Sequence, residues 1–147
     1  MNSPSAPAGT AAGPGPFSGA QRQLDHVAVA VHSIAESAPT FELFSRTPCT
    51  PPETLRDQGV RVAFVGSVEL LEPLAADTAV GRFLDRHGPG LHHIAYRTDD
   101  LEGDLERLDA AGLRLVDREP RTGAGGHRVA FVHPSSTGGI LVELVER

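Results

Sequence analysis

The chain has no lysine. All thirteen of its basic residues are arginine, set against nineteen Asp and Glu, for a formal net charge of −6. The arginine bias reads first as the base composition of a GC-rich genome. The acidic balance excludes general nucleic-acid binding, which needs a cationic field. It leaves open a local arginine cluster that grips one phosphorylated ligand. A single cysteine, Cys49, excludes an intramolecular disulfide and fits a reducing, cytoplasmic compartment. No apolar run approaches the length needed to cross a bilayer, so no membrane partner is expected. The first twenty residues lack both the charge and the apolar run of a targeting signal. Residues 1–21, rich in Ala, Gly, Pro and Ser, are expected to be a disordered tail, leaving 22–147 as one domain.

What the chain does have is an internal repeat. Arg61-Val62-Ala63-Phe64-Val65 recurs unchanged as Arg128-Val129-Ala130-Phe131-Val132, an offset of 67 residues. The same offset lays His26, in Leu24-Asp25-His26, on His93, in Leu91-His92-His93. Beyond the pentapeptide the second copy is longer, and Val68-Glu69-Leu70-Leu71-Glu72 matches Val142-Glu143-Leu144-Val145-Glu146 at an offset of 74. One module is used twice. Each copy supplies one His and one Glu at equivalent points.

Alternation and turn residues give each module the order β-α-β-β-β. In the first module, residues 24–74, strands are predicted at Leu24–Val31, Val60–Val65 and Val68–Glu72, the last two joined by a Gly66-Ser67 hairpin. Ser33 with Glu36 three residues later is a capping box, opening a helix with Ile34, Phe41 and Phe44 as its apolar stripe. Pro39 predicts a late start or a kink. Thr47–Pro52, with three prolines, is a loop or an irregular edge strand. A helix over residues 77–88 connects the modules. In the second module, residues 90–146, Asp100 replaces Ser33 as the cap of a helix carrying Leu101, Leu105 and Leu108. Strands are predicted at Leu91–Thr98, Leu113–Glu119, His127–His133 and Ile140–Glu146. One helix cannot cover a four-stranded sheet alone, so two copies should share an incomplete eight-stranded barrel. The fold class is α+β.

The repeated residues make a candidate metal centre: His26, Glu69, His93 and Glu143. Two imidazoles and two carboxylates suit one divalent cation, Co, Mn, Ni, Fe or Zn, with room for water or substrate in an octahedral shell. Any one of these residues alone reads as easily as a strand cap or an arginine partner. Four obeying one repeat do not. Glu143 shares its strand face with Leu141 and Val145, where an unpaired carboxylate is costly. His92 should point away from His93, as a support to it or a core residue, and the repeat puts Asp25 at its equivalent. Glu72 and Glu146 fall on the opposite face from Glu69 and Glu143 and read as solvated strand ends. The stretch Arg121 to Arg128 is glycine-rich and basic. Arg121, Gly123, Gly125, Gly126 and Arg128 either cradle an anionic ligand or form an ordinary hairpin connection.

From Leu24 to Glu146 these strings resemble the vicinal-oxygen-chelate (glyoxalase/bleomycin resistance/dioxygenase) superfamily and, within it, the methylmalonyl-CoA epimerases. The diagnostic runs are Leu24-Asp25-His26, Val68-Glu69-Leu70-Leu71-Glu72-Pro73-Leu74, Gly90-Leu91-His92-His93-Ile94-Ala95 and Gly138-Gly139-Ile140-Leu141-Val142-Glu143-Leu144. The resemblance implies that His26, Glu69, His93 and Glu143 hold one divalent metal ion in a homodimeric enzyme acting on an acyl-CoA. It also implies interconversion of the C2 epimers of methylmalonyl-CoA through a metal-stabilised enolate, with no redox or nucleotide cofactor. Some family members place a non-ligand Glu, one of two bases, where this chain has Val62. Glu143 is then the first candidate for one proton transfer and Glu69 for the opposite one. The alternatives are a glyoxalase I-type lactoylglutathione lyase, an extradiol dioxygenase, or a metal-free ligand-binding protein of the same fold.

Overall fold

A computed structural model describes residues 20–147; the expected tail lies, up to residue 19, outside the described residues. The elements run β1 (Leu24–Ala30), α1 (Ile34–Ser45), β2 (Glu53–Leu55), β3 (Val60–Val65), β4 (Val68–Pro73), α2 (Ala79–His87), β5 (Gly90–Thr98), α3 (Leu101–Ala110), β6 (Arg121–Thr122), β7 (Arg128–Val132) and β8 (Leu141–Glu146). Short 3-10 turns occupy Arg56–Gln58, Ala124–Gly126 and Pro134–Ser136. No helix among the described residues is long and apolar enough to cross a membrane.

All eight strands form one curled sheet in the order β2-β3-β4-β1-β5-β8-β7-β6. Each half repeats the other. β1 runs parallel to β4 as β5 runs parallel to β8, and β3–β4 and β7–β8 are antiparallel hairpins. The halves join through the antiparallel pair β1–β5. At the far ends the edges approach without pairing. Gln58 Nε2 donates to the Thr122 carbonyl at 2.9 Å, and the Gly125 N–H donates to Glu53 Oε2 at 2.9 Å. Side chains close the ring where no ladder does.

The two sheet-covering helices obey the same local rules. Ser33 Oγ accepts from the Glu36 N–H at 3.2 Å to start α1, and Asp100 Oδ1 accepts from the Gly103 N–H at 3.0 Å to start α3. α1 sets Ile34, Ala38 and Phe41 against Val31, Ala63, Val65 and Leu70. α3 sets Leu101, Leu105 and Leu108 against Ala130 and Leu144. Helix α2 is capped by Thr78 and packs Val80 and Leu84 on Val60, Val62 and Leu71.

Several sequence expectations need correction. α1 begins at Ile34 and runs through Pro39 to Ser45. Both Pro39 and Ala35 are exposed, so water can take the hydrogen bond that the proline withholds from the Ala35 carbonyl. Phe44 is not part of the apolar stripe but stands 83% exposed. The edge strand of the first module lies after the prolines, at Glu53–Leu55. The strand predicted at Leu113–Glu119 reduces to one bridge, Leu115 to Val132. There the Asp117 side chain accepts from the Phe131 N–H at 2.9 Å, displacing a ladder bond.

Glu72 and Glu146 are not simply solvated strand ends. Glu72 Oε2 accepts from the Ile34 N–H at 2.8 Å while Oε1 faces Arg61 at 3.3 Å. Glu146 Oε1 accepts from the Leu101 N–H at 3.2 Å while Oε2 faces Arg128 at 2.9 Å. Each copy thus uses its repeated Glu and Arg to tie the first turn of a helix to the sheet, where a carboxylate also meets the positive end of the helix dipole. Replacing either glutamate by Ala should lower stability by about 1–2 kcal/mol. The two losses should add in the double variant, because the sites lie in separate modules. Urea denaturation measures both, and an unchanged midpoint for either variant removes that tie from the fold's stability.

Candidate metal centre and active site

Ala28 and Ala95, both fully buried, mark the middle of the shared sheet. Ala28 is flanked by Glu69 on β4 and by His93 on β5. Ala95 is flanked by His26 on β1 and by Glu143 on β8. Residues side by side on adjacent strands present their side chains on one face. Each module's alanine therefore stands between its own glutamate and the other module's histidine. A methyl group there leaves room for four long side chains to lean together.

They do lean together. One ligand atom from each of His26, Glu69, His93 and Glu143 lies within 4.8 Å of the others, and all four residues are buried. His26 Nε2 is 3.2 Å from Glu69 Oε2 and 3.6 Å from Glu143 Oε2. His93 Nε2 is 2.7 Å from Glu143 Oε2 and 3.6 Å from Glu69 Oε2. Despite these distances neither Nε2 atom has a hydrogen-bond partner among the described residues. The two ring nitrogens and two carboxylate oxygens converge on a common point rather than pairing off. Buried polar atoms without partners are rare and ask for an occupant. A borderline divalent cation fits this two-nitrogen, two-oxygen donor set.

The residues behind the ligands repeat as well. Asp25 Oδ2 lies 2.7 Å from His26 Nδ1, and His92 Nδ1 lies 2.9 Å from His93 Nδ1. Strict alternation turns Asp25 and His92 away from the site, and that expectation fails for a visible reason. The β1–β5 register shifts between Leu24 and His26, and again between Ala28 and Val29. Asp25 and His92 are the extra residues of two β-bulges, and a bulge re-aims the side chain it carries. Each then holds the far nitrogen of the neighbouring ligand, which fixes ring orientation and tautomer. Asp25 is itself held by Arg147 Nε at 2.8 Å. Edge-on packing completes the symmetry, His26 on Phe64 at 5.5 Å and His93 on Phe131 at 5.3 Å between ring centroids.

The electrostatics follow from this crowding. Burial works against charging His26, but the facing carboxylates of Glu143, Glu69 and Asp25 outweigh it and raise its pKa to about 10. Burial, then the neighbouring His93, pushes His92 down to about 4, so that His92 is neutral at physiological pH. Burial alone would raise Glu143, yet His26 and His93 beside it hold its carboxyl below the ordinary range. In the absence of a cation the centre thus keeps a proton on imidazole and a charge on carboxylate.

The centre forms one wall of a cavity of about 520 Å³, reached through Glu69, His93 and Glu143. Val62, Leu71, Val80, Phe131 and Leu141 make its walls apolar, and Arg121 and Gly123 line its second-module side. Gly123 is required by close approach, because a Cβ there would stand 2.9 Å from Val129 Cγ1. The other loop candidates are placed elsewhere. The Gly125 N–H is engaged by Glu53, Gly126 does not line the cavity, and Arg128 pairs with Glu102 and Glu146 beside α3. Arg56, Gln58 and Arg82 line the cavity although nothing in the sequence singled them out. For Asp25 a signal existed, namely its repeat equivalence to His92.

Comparison with known proteins agrees with this architecture. The profile of the Glyoxalase/Bleomycin resistance protein/Dioxygenase superfamily matches residues 25–131. An uncharacterized Bacillus subtilis protein, YqjC, is 44% identical over 84% of this chain and 91% of its own length. The mitochondrial methylmalonyl-CoA epimerase of Dictyostelium discoideum is 34% identical over 85% of this chain and 78% of its own. A solved methylmalonyl-CoA epimerase in complex with methylmalonyl-CoA and NH4+ superposes with a TM-score of 0.81 at 32% identity, covering 86% of this chain and 95% of that one. Repeat, sheet order and relatives concur: the chain belongs to the glyoxalase/bleomycin resistance protein/dioxygenase superfamily and, within it, to the methylmalonyl-CoA epimerase family.

Proposed function

We propose that this protein interconverts the C2 epimers of methylmalonyl-CoA, with His26, Glu69, His93 and Glu143 holding one divalent cation. The observation that carries the reading is the pair of buried, pseudo-symmetric carboxylates, Glu69 and Glu143, both facing one cavity. The relatives named as epimerases supply the substrate. When bound, the cation supplies Lewis-acid polarisation of the thioester carbonyl, which acidifies the C2 proton. The chain's own groups do the rest. Glu143, held below the ordinary carboxyl range, starts ionised and takes the proton from one face of C2. Glu69, from the other module, must then start as the carboxylic acid and give its proton to the opposite face, so one turnover exchanges the two protonation states. The reverse reaction runs from the exchanged state, and proton exchange with water resets the pair. Val62, Leu71 and Phe131 keep the reacting carbon away from bulk water. With Val62 buried and apolar, no base comes from that strand position, and both proton transfers rest on the glutamates.

Proton NMR of methylmalonyl-CoA in D2O with the metal-loaded protein tests this directly. The C2 proton signal should disappear far faster than in the uncatalysed control. Glu143→Gln should slow that loss by about 10²–10⁴-fold while sparing the fold. Wild-type exchange rates in that variant, or no exchange by the wild type with any divalent metal, would sink the assignment.

The raised pKa of His26 gives a second test. At pH 8, below about 10, the imidazole of the metal-free protein is mostly protonated, and a cation binds only its neutral form. Loading should therefore release about one proton per site, and affinity should climb about tenfold per pH unit below the His26 pKa. Calorimetric titration in buffers of different ionisation enthalpy reads the release. A binding enthalpy independent of buffer contradicts it.

A further inference from the structure

The floor of the cavity is close to symmetric, but its mouth is not. The 3-10 turns Arg56–Gln58 and Ala124–Gly126 precede the two copies of the repeated pentapeptide and occupy nearly equivalent places in the two modules. At the repeat offset Arg56 corresponds to Gly123, Asp57 to Ala124 and Gln58 to Gly125. The first module thus presents charged and amide side chains where the second presents bare backbone. Arg82, from α2, joins Arg56 on the first-module side of the cavity.

Arg56 and Arg82 share with Arg46, Arg86 and Arg114 the lack of a carboxylate partner among the described residues, but of these five only Arg56 and Arg82 line the cavity. Arg22, Arg61, Arg97, Arg107, Arg118, Arg121, Arg128 and Arg147 each have a carboxylate oxygen within 4.0 Å. Neither Arg56 nor Arg82 has such a partner among the described residues, although Asp57 and Asp77 line the same cavity. Arg82 donates from Nη1 only to the Asp77 carbonyl. In a chain of net charge −6, whose cavity wall already carries Glu69 and Glu143, two guanidiniums left without carboxylates face a position suited to an anion from the ligand.

We infer that Arg56 and Arg82 form the subsite for the phosphates of the substrate's nucleotide end, and so fix which way round the thioester lies on a pseudo-two-fold centre. This rests on the acyl-CoA reading above and deepens it. A cavity of about 520 Å³ holds the thioester and its pantetheine arm, which leaves the nucleotide of an acyl-CoA at the mouth. Glu69 and Glu143 are near-equivalent by the repeat, so the floor alone does not distinguish one substrate orientation from its reverse. Guanidiniums without a carboxylate partner on one side of the mouth do, because Arg121 on the second-module side is engaged by Asp117 at 3.4 Å. With the phosphates held beside the first module, each glutamate meets the same face of C2 at every turnover.

The test compares two thioesters and one unreactive ligand in the metal-loaded protein. Against methylmalonyl-CoA, the Arg56→Ala/Arg82→Ala double variant should show a KM at least tenfold higher, with kcat within twofold of wild type. Against methylmalonyl-pantetheine, which lacks the nucleotide, its KM should match wild type. CoA alone, measured by calorimetry and so independent of turnover, should bind the variant at least tenfold more weakly, and added salt should shrink the difference. If CoA binds wild type and loses affinity in the variant while no thioester is turned over, the subsite stands and the epimerase reading falls. Equal KM increases for both thioesters, unchanged CoA affinity in the variant, or no CoA binding by wild type would each overturn the subsite.

Discussion

Two carboxylates and two imidazoles buried within a few ångströms of one another are the condition that the rest of the architecture serves. Left to itself such a cluster is unfavourable, since each charge forfeits its hydration and the carboxylates repel. It is tolerable because the four groups converge on a point where a cation would balance the charge, and because the backbone holds them there. The β1–β5 pair brings the modules together, the small side chains of Ala28 and Ala95 open the space, and the parallel neighbours β4 and β8 carry the glutamates inward. The bulges at Asp25 and His92 then lock the imidazoles from behind.

The repeated pentapeptide takes on a meaning in this light. Its Phe packs edge-on against a ligand histidine, its Arg pairs with a glutamate that receives a helix N–H, and its apolar residues fill the core. Five residues serve the metal centre and the helix anchor together. A change that suits one task disturbs the other, which gives a physical reason for both copies to keep the same wording.

The centre was legible in the sequence because the duplication prints each ligand twice. His26 with His93, and Glu69 with Glu143, are found by offset alone, and the sheet does bring them together. The strands from Val60 to Glu72 were legible from alternation and from the Gly66-Ser67 turn. What escaped depends on contacts that no period encodes. A bulge looks like an ordinary strand residue until its partner strand is known, so the inward reach of His92 contradicted the alternation rule. Arg128 read as a ligand-binding residue because it adjoins glycines, whereas Glu102 and Glu146, far away in sequence, claim it. Arg56 and Arg82 meet at one cavity only through the tertiary fold.

The closure of the ring by Glu53 and Gln58, rather than by strand pairing, separates two kinds of freedom. A full ladder ties the aperture of a barrel to strand number and stagger, so widening it means re-registering the sheet. Here the aperture hangs on the exposed side chain of Glu53, the half-buried one of Gln58 and the backbone groups that they meet. Exchange of a residue or lengthening of a turn at that seam resizes the entrance and leaves the catalytic floor undisturbed. The scaffold is thereby divided into a part that conserves chemistry and a part free to change its clientele.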